Sequence, residues 1–122
     1  MMKYGKKVWL IPDAFYNSQS NGQVSHEAVC VLNTSDEDAA ICMTFYFEDR
    51  DKIGGYEASC PAGRTHHIRM DKLRSKNGEP VPMDVPYAIL VESNVEVVVQ
   101  YSRLDTSQAE MALMTTVAYP VE

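Results

Sequence analysis

The chain has 122 residues, 45% of them hydrophobic and 23% charged, with a formal charge of −6 and a pI near 5.0. That length suits a single domain spanning residues 1–122 around one core, with the composition of an ordinary soluble globular protein. The acidic balance argues against non-specific nucleic-acid binding, which needs clustered Lys and Arg, and no apolar run is long enough for membrane insertion.

In chain order, Lys3, Lys6 and Lys7 read as a solvated chain end, and Lys6 to Ile11 as a first strand halted by Pro12. Val8 to Ile11 is too short for the core of a signal peptide. Asn17 to Gly22 is polar and closes on Asn-Gly, a turn signal. From Gln23 to Asn33 the residues alternate. Val24, His26, Ala28, Cys30 and Leu32 fall on one face, and Ser25, Glu27, Val29, Val31 and Asn33 on the other. Both faces turn apolar toward the end, as in a sandwich strand. Asn33-Thr34-Ser35 fits a glycosylation acceptor but has no secretion signal to give it meaning.

Thr34 to Asp38 is an acidic turn, and Ala40 to Glu48 a strand with Ile41, Met43, Phe45 and Phe47 on one face. Tyr56 to Cys60 and Arg64 to Met70 are short strands around Pro61-Ala62-Gly63. Met70 to Leu73 can make one helical turn, and Arg74 to Asp84 is a long loop. Tyr87 to Val91 and Val95 to Ser102 read as a hairpin turning at Glu92-Ser93-Asn94, and Met111 to Tyr119 as a last strand. About eight short strands with turns between them predict an all-β protein, an antiparallel β-sandwich or barrel.

The most informative stretch is Ser93 to Gln108. Val95, Val97, Val99 and Tyr101 share one strand face, and the apolar pattern then gives way to Arg103, Asp105 and Gln108, with Gln100 just before. The plain reading of Arg103 and Asp105 is an ion pair pinning a strand end. The sharper one is a rim for a polar ligand, because a guanidinium, amides and a carboxylate together match a sugar or carboxylate. Further polar clusters are Ser25-His26-Glu27, Arg64 to Arg69 with His66 and His67, and Ser93-Asn94. Trp9, the single tryptophan, offers a flat apolar surface for a sugar ring.

Other chemistries find little support. His66 and His67 are adjacent, so in a strand they point apart and cannot chelate together; no metal site is expected. Ser25, His26 and Glu27 are scattered by strand alternation, no G-x-S-x-G elbow exists, and no Gly-rich loop cradles phosphate. No catalysis and no cofactor are therefore expected. The three cysteines Cys30, Cys42 and Cys60 lack C-x-x-C spacing and read as buried free thiols of a reducing cytoplasm.

Taken as an ordered series, these residues resemble the sensory rhodopsin transducer family. The resemblance runs through Trp9, Ser25-His26-Glu27, Cys30-Val31-Leu32-Asn33, Asp36 to Ala39, Arg64-Thr65 with His67 and Arg69, Ser93-Asn94-Val95, Val98 to Gln100, Arg103 to Asp105, and Gln108 to Glu110. It implies a β-sandwich assembling as a homotetramer, with a sugar-like metabolite as ligand. Contact with a membrane receptor or DNA is the alternative it leaves open, and an enzyme of sugar metabolism is a third. Asn17 to Gly22 and Arg74 to Asp84 depart from the family pattern and are where partner specificity would lie. The expected ligand-binding set is Trp9, His26, Glu27, Arg64, His67, Arg69, Gln100, Arg103 and Asp105.

Overall fold

The computed structural model describes residues 2–18, 25–106 and 112–121. Its strands are β1 (Lys6–Phe15), β2 (His26–Asn33), β3 (Ala39–Phe47), β4 (Ile53–Cys60), β5 (Arg64–Arg69), β6 (Pro86–Asp105), β7 (Ala112–Val117) and β8 (Tyr119–Val121). Every pairing is antiparallel, and no helix occurs among the described residues, so the protein is all-β as expected. One sheet runs β4-β3-β6-β1-β8, and the other β5-β2-β6-β7.

The strand common to both is β6. Its first half lies between β1 and β3, and its second half between β2 and β7. There is no hairpin at Glu92-Ser93-Asn94: those residues continue the strand. The physical reason is parity. Tyr87, Ile89, Val91, Val95, Val97, Val99 and Tyr101 are all buried on one face, so alternation is unbroken across the supposed turn, and no glycine supplies the backbone a tight reversal needs. Fully extended, a strand of 20 residues spans about 65 Å, far beyond a domain with a radius of gyration of about 14 Å. Coiling from one sheet into the other accommodates it. Asn94 Oδ1 accepts from the Ala40 N–H at 2.7 Å where it leaves the first sheet.

Pro12 does not end β1, which continues to Phe15. The register with β6 slips between Ile11 and Ala14, and this irregularity takes in the residue that cannot donate to the ladder. The last strand is divided: β7 pairs with the second half of β6 and β8 with β1, and buried Ala118 between them donates to the Val99 carbonyl at 3.0 Å. Met70 to Leu73 forms a turn, closed by Lys72 N–H to the Arg69 carbonyl at 3.2 Å, and no helix. The second strand starts at His26; on its outward face Ala28 is buried but Cys30 is half-buried and Leu32 exposed, so toward its end only the face of Val29 and Val31 is core.

Inward residues of both sheets form one core, in which Phe45 lies 4.5 Å from the Tyr56 ring centre and 5.3 Å from that of Tyr87. Trp9 belongs to it: the ring is buried, and its N–H donates to the carbonyls of Lys6 (3.0 Å) and Val97 (3.1 Å). Gly5 leads into β1 with φ +96°, and a Cβ there would lie 2.0 Å from the Val97 carbonyl oxygen, so glycine permits the close approach. Asn33 is buried, giving its amide to the carbonyls of Glu37 (2.8 Å) and Cys60 (3.0 Å) and accepting from the Ser35 N–H and hydroxyl. That network holds the acidic turn to the end of β4 and leaves no room for a glycan. Cys60 is buried, whereas Cys30 and Cys42 are half-buried; none forms a disulfide.

Candidate functional site

Alternation along β6 decides which polar groups can meet. Even-numbered residues face outward, odd-numbered ones inward, so Gln100 is separated from Arg103 and Asp105. At the end of the sandwich β6 runs out beside the end of β1. Phe15 is opposite Pro86 in the ladder, and Arg103 is opposite Glu27 of β2. A cleft of about 320 Å³ opens there, lined by Asp13, Phe15, Asn17, Pro86, Arg103 and Asp105. Asn17 Nδ2 donates to Asp105 Oδ1 at 3.2 Å, and Arg103 Nη2 lies 4.0 Å from the sulfur of Met114. Arg103 and Asp105 form no ion pair with each other among the described residues, so the pinning salt bridge is absent.

Behind this cleft sits Glu27, fully buried. Its two carboxylate oxygens each accept a tyrosine hydroxyl, one from Tyr87 and the other from Tyr101. The Tyr101 hydroxyl in turn accepts the Phe15 N–H at 3.2 Å, so the buried acid is connected to the cleft wall through one oxygen atom. Burial pushes the Glu27 carboxyl above the usual carboxylate range. The tyrosine hydrogen bonds and the nearby Arg103 charge favour the ionised form but do not outweigh that burial. Both tyrosines are raised far above a phenol's ordinary range, by burial first and the Glu27 charge second, and therefore stay protonated as donors. Ser25 and Thr106 close the end of the sheet through their hydroxyls, 3.0 Å apart.

The remaining expected residues are elsewhere. His67 and Arg69 line a second cleft at the open edge of β5. Gln100 is exposed and donates to the Thr115 hydroxyl at 2.9 Å, in a row across the sheet with Cys30 and His67. His26 stands opposite Leu104 at the start of β2. Arg64 is exposed at the start of β5, with Nη1 3.5 Å from the Gly63 carbonyl. Trp9 is in the core, away from both clefts. Gln108 lies outside the described residues. Among those residues no group of His, Cys, Asp or Glu could hold a metal ion, and no helix is long and apolar enough to cross a membrane.

The family model for the Anabaena sensory rhodopsin transducer matches residues 4–120. The chain belongs to the Anabaena sensory rhodopsin transducer family. Solved structures agree with that membership. The crystal structure of Thermotoga maritima 1070 superposes with a TM-score of 0.86 at 39% identity, covering 97% of this chain and 97% of that one. The Anabaena sensory rhodopsin transducer itself superposes with a TM-score of 0.73 at 36% identity, covering 83% of this chain and 99% of that one. No curated protein matches.

For this member of the transducer family, sequence reasoning missed Tyr87 and Tyr101 as partners of Glu27, and Asp13, Phe15 and Asn17 as cleft residues. The signal for the tyrosines was present. Glu27 stands at an inward position of an apolar strand face, and a carboxylate there demands donors. Among the buried residues on the inward face of β6, tyrosine is the type that can supply them. The cleft residues gave no comparable signal, since they come from the far side of a bulge that strand periodicity does not reveal.

Proposed function

We propose that this protein is a non-enzymatic signal-relay module that recognises a small polar, sugar-like ligand in the cleft between the ends of β1 and β6. The observation that supports this reading is the make-up of that cleft: a guanidinium (Arg103), carboxylates (Asp13, Asp105) and an amide (Asn17) beside the Phe15 ring. Planar donor and acceptor groups pair with vicinal hydroxyls, and an aromatic ring covers the apolar face of a sugar. A thermal-shift screen of sugars, sugar acids and nucleotides tests it. A true ligand at 100 times its Kd stabilises the fold by about 2.7 kcal/mol. Arg103→Ala should abolish the shift while the protein stays folded. A hit that shifts Arg103→Ala as much as wild type would show that the compound binds outside this cleft.

Signal relay draws on the family, since the Anabaena relative is by name a transducer of a sensory rhodopsin. A receptor contact is the runner-up role, with DNA behind it because of the −6 charge. The protein works in the cytoplasm as a homotetramer. Exposed apolar side chains support assembly: Leu113 (76%) and Val117 (67%) on β7 and Tyr119 (67%) on β8, with Leu32 (44%) on β2, are apolar surface that a subunit interface would cover. Light scattering coupled to size exclusion should give a mass near four chains of 13.7 kDa, and a stable monomer at micromolar concentration would contradict assembly.

A further inference from the structure

A second cleft, independent of the one beside Arg103, lies between the outer edges of β4 and β5, beyond the stretch of β4 where Tyr56 bridges to Ser75 and the Gly55 carbonyl accepts the Lys76 N–H at 3.0 Å. Among the described strands β4 pairs only with β3, and β5 only with β2. Between these edges is a space of about 280 Å³ walled by His66, His67, Arg69 and Lys72. Its floor is apolar, made by Ala58 with buried Ile68 and Leu73. We propose that this cleft binds a small organic anion, an oxyanion head on a compact apolar or aromatic body.

Charge is the first argument. From Arg64 to Lys76 the chain carries five cationic side chains and a single carboxylate, Asp71, although its formal charge is −6. Among the described residues no carboxylate lines the cleft. The nearby Asp71 and Glu57 are engaged, the former with Arg69 and the latter with Lys76 at 3.1 Å. Pre-organisation is the second argument. Asp71 grips Arg69 bidentately, Nε to Oδ1 and Nη2 to Oδ2 both at 2.9 Å, which fixes the plane of the guanidinium while leaving N–H donors for an oxyanion. His66 Nδ1 lies 2.6 Å from the Ser59 carbonyl, which can only accept, so Nδ1 carries the proton and the ring ties the two edges together across the cleft. His66 and His67 alternate along β5, yet both line the cleft because its wall is the strand's edge. Size is the third argument. The volume is just below the range of about 300–1,000 Å³ typical of small-molecule sites, which suits one ring and its head group and leaves little room for more.

Phenyl phosphate is a suitable probe, titrated into the full-length chain at fixed ionic strength while the imidazole C–H resonances of the three histidines are followed. Saturable shifts of His66 and His67, with His26 still, are expected. Lys72→Glu reverses an exposed charge at the rim and should weaken binding about tenfold, equivalent to about 1.4 kcal/mol. Lys7→Glu, an equal reversal on β1, should leave it unchanged. Absence of saturation, His26 moving in step with the other two, or equal losses in both variants would overturn the site. The sugar-like ligand of the other cleft is untouched by this outcome, since Arg103→Ala should not alter phenyl phosphate binding.

Discussion

Glu27→Ala is expected to destabilise the protein by about 3 kcal/mol or more, measured as a shift in the urea midpoint at constant m-value. The side chain is fully buried, and each of its oxygens holds a buried tyrosine hydroxyl. Hydrogen bonds to a charged group contribute roughly 1.5–3 kcal/mol each, and truncation leaves both hydroxyls without their acceptor. Part of the loss is returned because a buried carboxylate no longer has to be desolvated, which is why the expected figure stays near the lower sum. Glu27→Gln, which keeps one acceptor oxygen, should cost less and should also change the pH dependence. The folded carboxyl titrates above its unfolded value of 4.5. The native state therefore holds a proton the unfolded chain has released, and stability falls as pH rises above that value. Its contribution is fully present below 4.5 and is lost as pH passes the raised folded value. The stability of wild type relative to Glu27→Gln should decline between pH 4.5 and neutrality. A relative stability that rises with pH over that interval would mean the carboxyl is not raised in the folded protein.

Phe45→Ala is expected to cost about 3–5 kcal/mol, the range for deleting a large buried ring. Phe45 is fully buried and packs against two tyrosine rings, tilted on Tyr56 and edge-on to Tyr87. Such ring pairs add about 0.5–1.5 kcal/mol each beyond area burial. Because Tyr87 is also a Glu27 donor, the loss should propagate: the combination with Tyr87→Phe should be non-additive by more than about 0.5 kcal/mol, as for residues in contact. Strict additivity in a double-mutant cycle would show that the ring positions nothing at Glu27.

Period-two alternation made much of the fold legible. The strands, their inward faces and the all-β class follow from residues such as Ile41, Met43 and Phe45, all buried as their spacing requires. Where reading failed, local signals were outweighed by distant ones. Ser93-Asn94 looks like a turn, but Val91 and Val95 keep the same parity across it and both join the core. Pro12 looks like a terminus, but an irregularity in the β1–β6 register takes it in. Trp9 looks like a platform for a sugar, but the Lys6 and Val97 carbonyls satisfy its one donor inside the core. The candidate site was half legible. Arg103 and Asp105 do line one cleft, and His67 and Arg69 another, while Gln100 lines neither and is turned from Arg103 and Asp105 by alternation. Residues from the end of β1 escaped notice because nothing in the sequence states which strand ends come together.

A polar ligand is expected to occupy the cleft beside Arg103. The direct measurement is an amide chemical-shift titration of uniformly ¹⁵N-labelled protein with the strongest hit from the thermal screen. Shifts should concentrate at Phe15, Asn17, Arg103 and Asp105, leave β3 and β4 unmoved, and return the compound chemically unchanged. Shifts confined to other strands, or conversion of the compound to a product, would contradict a non-catalytic binding site in this cleft.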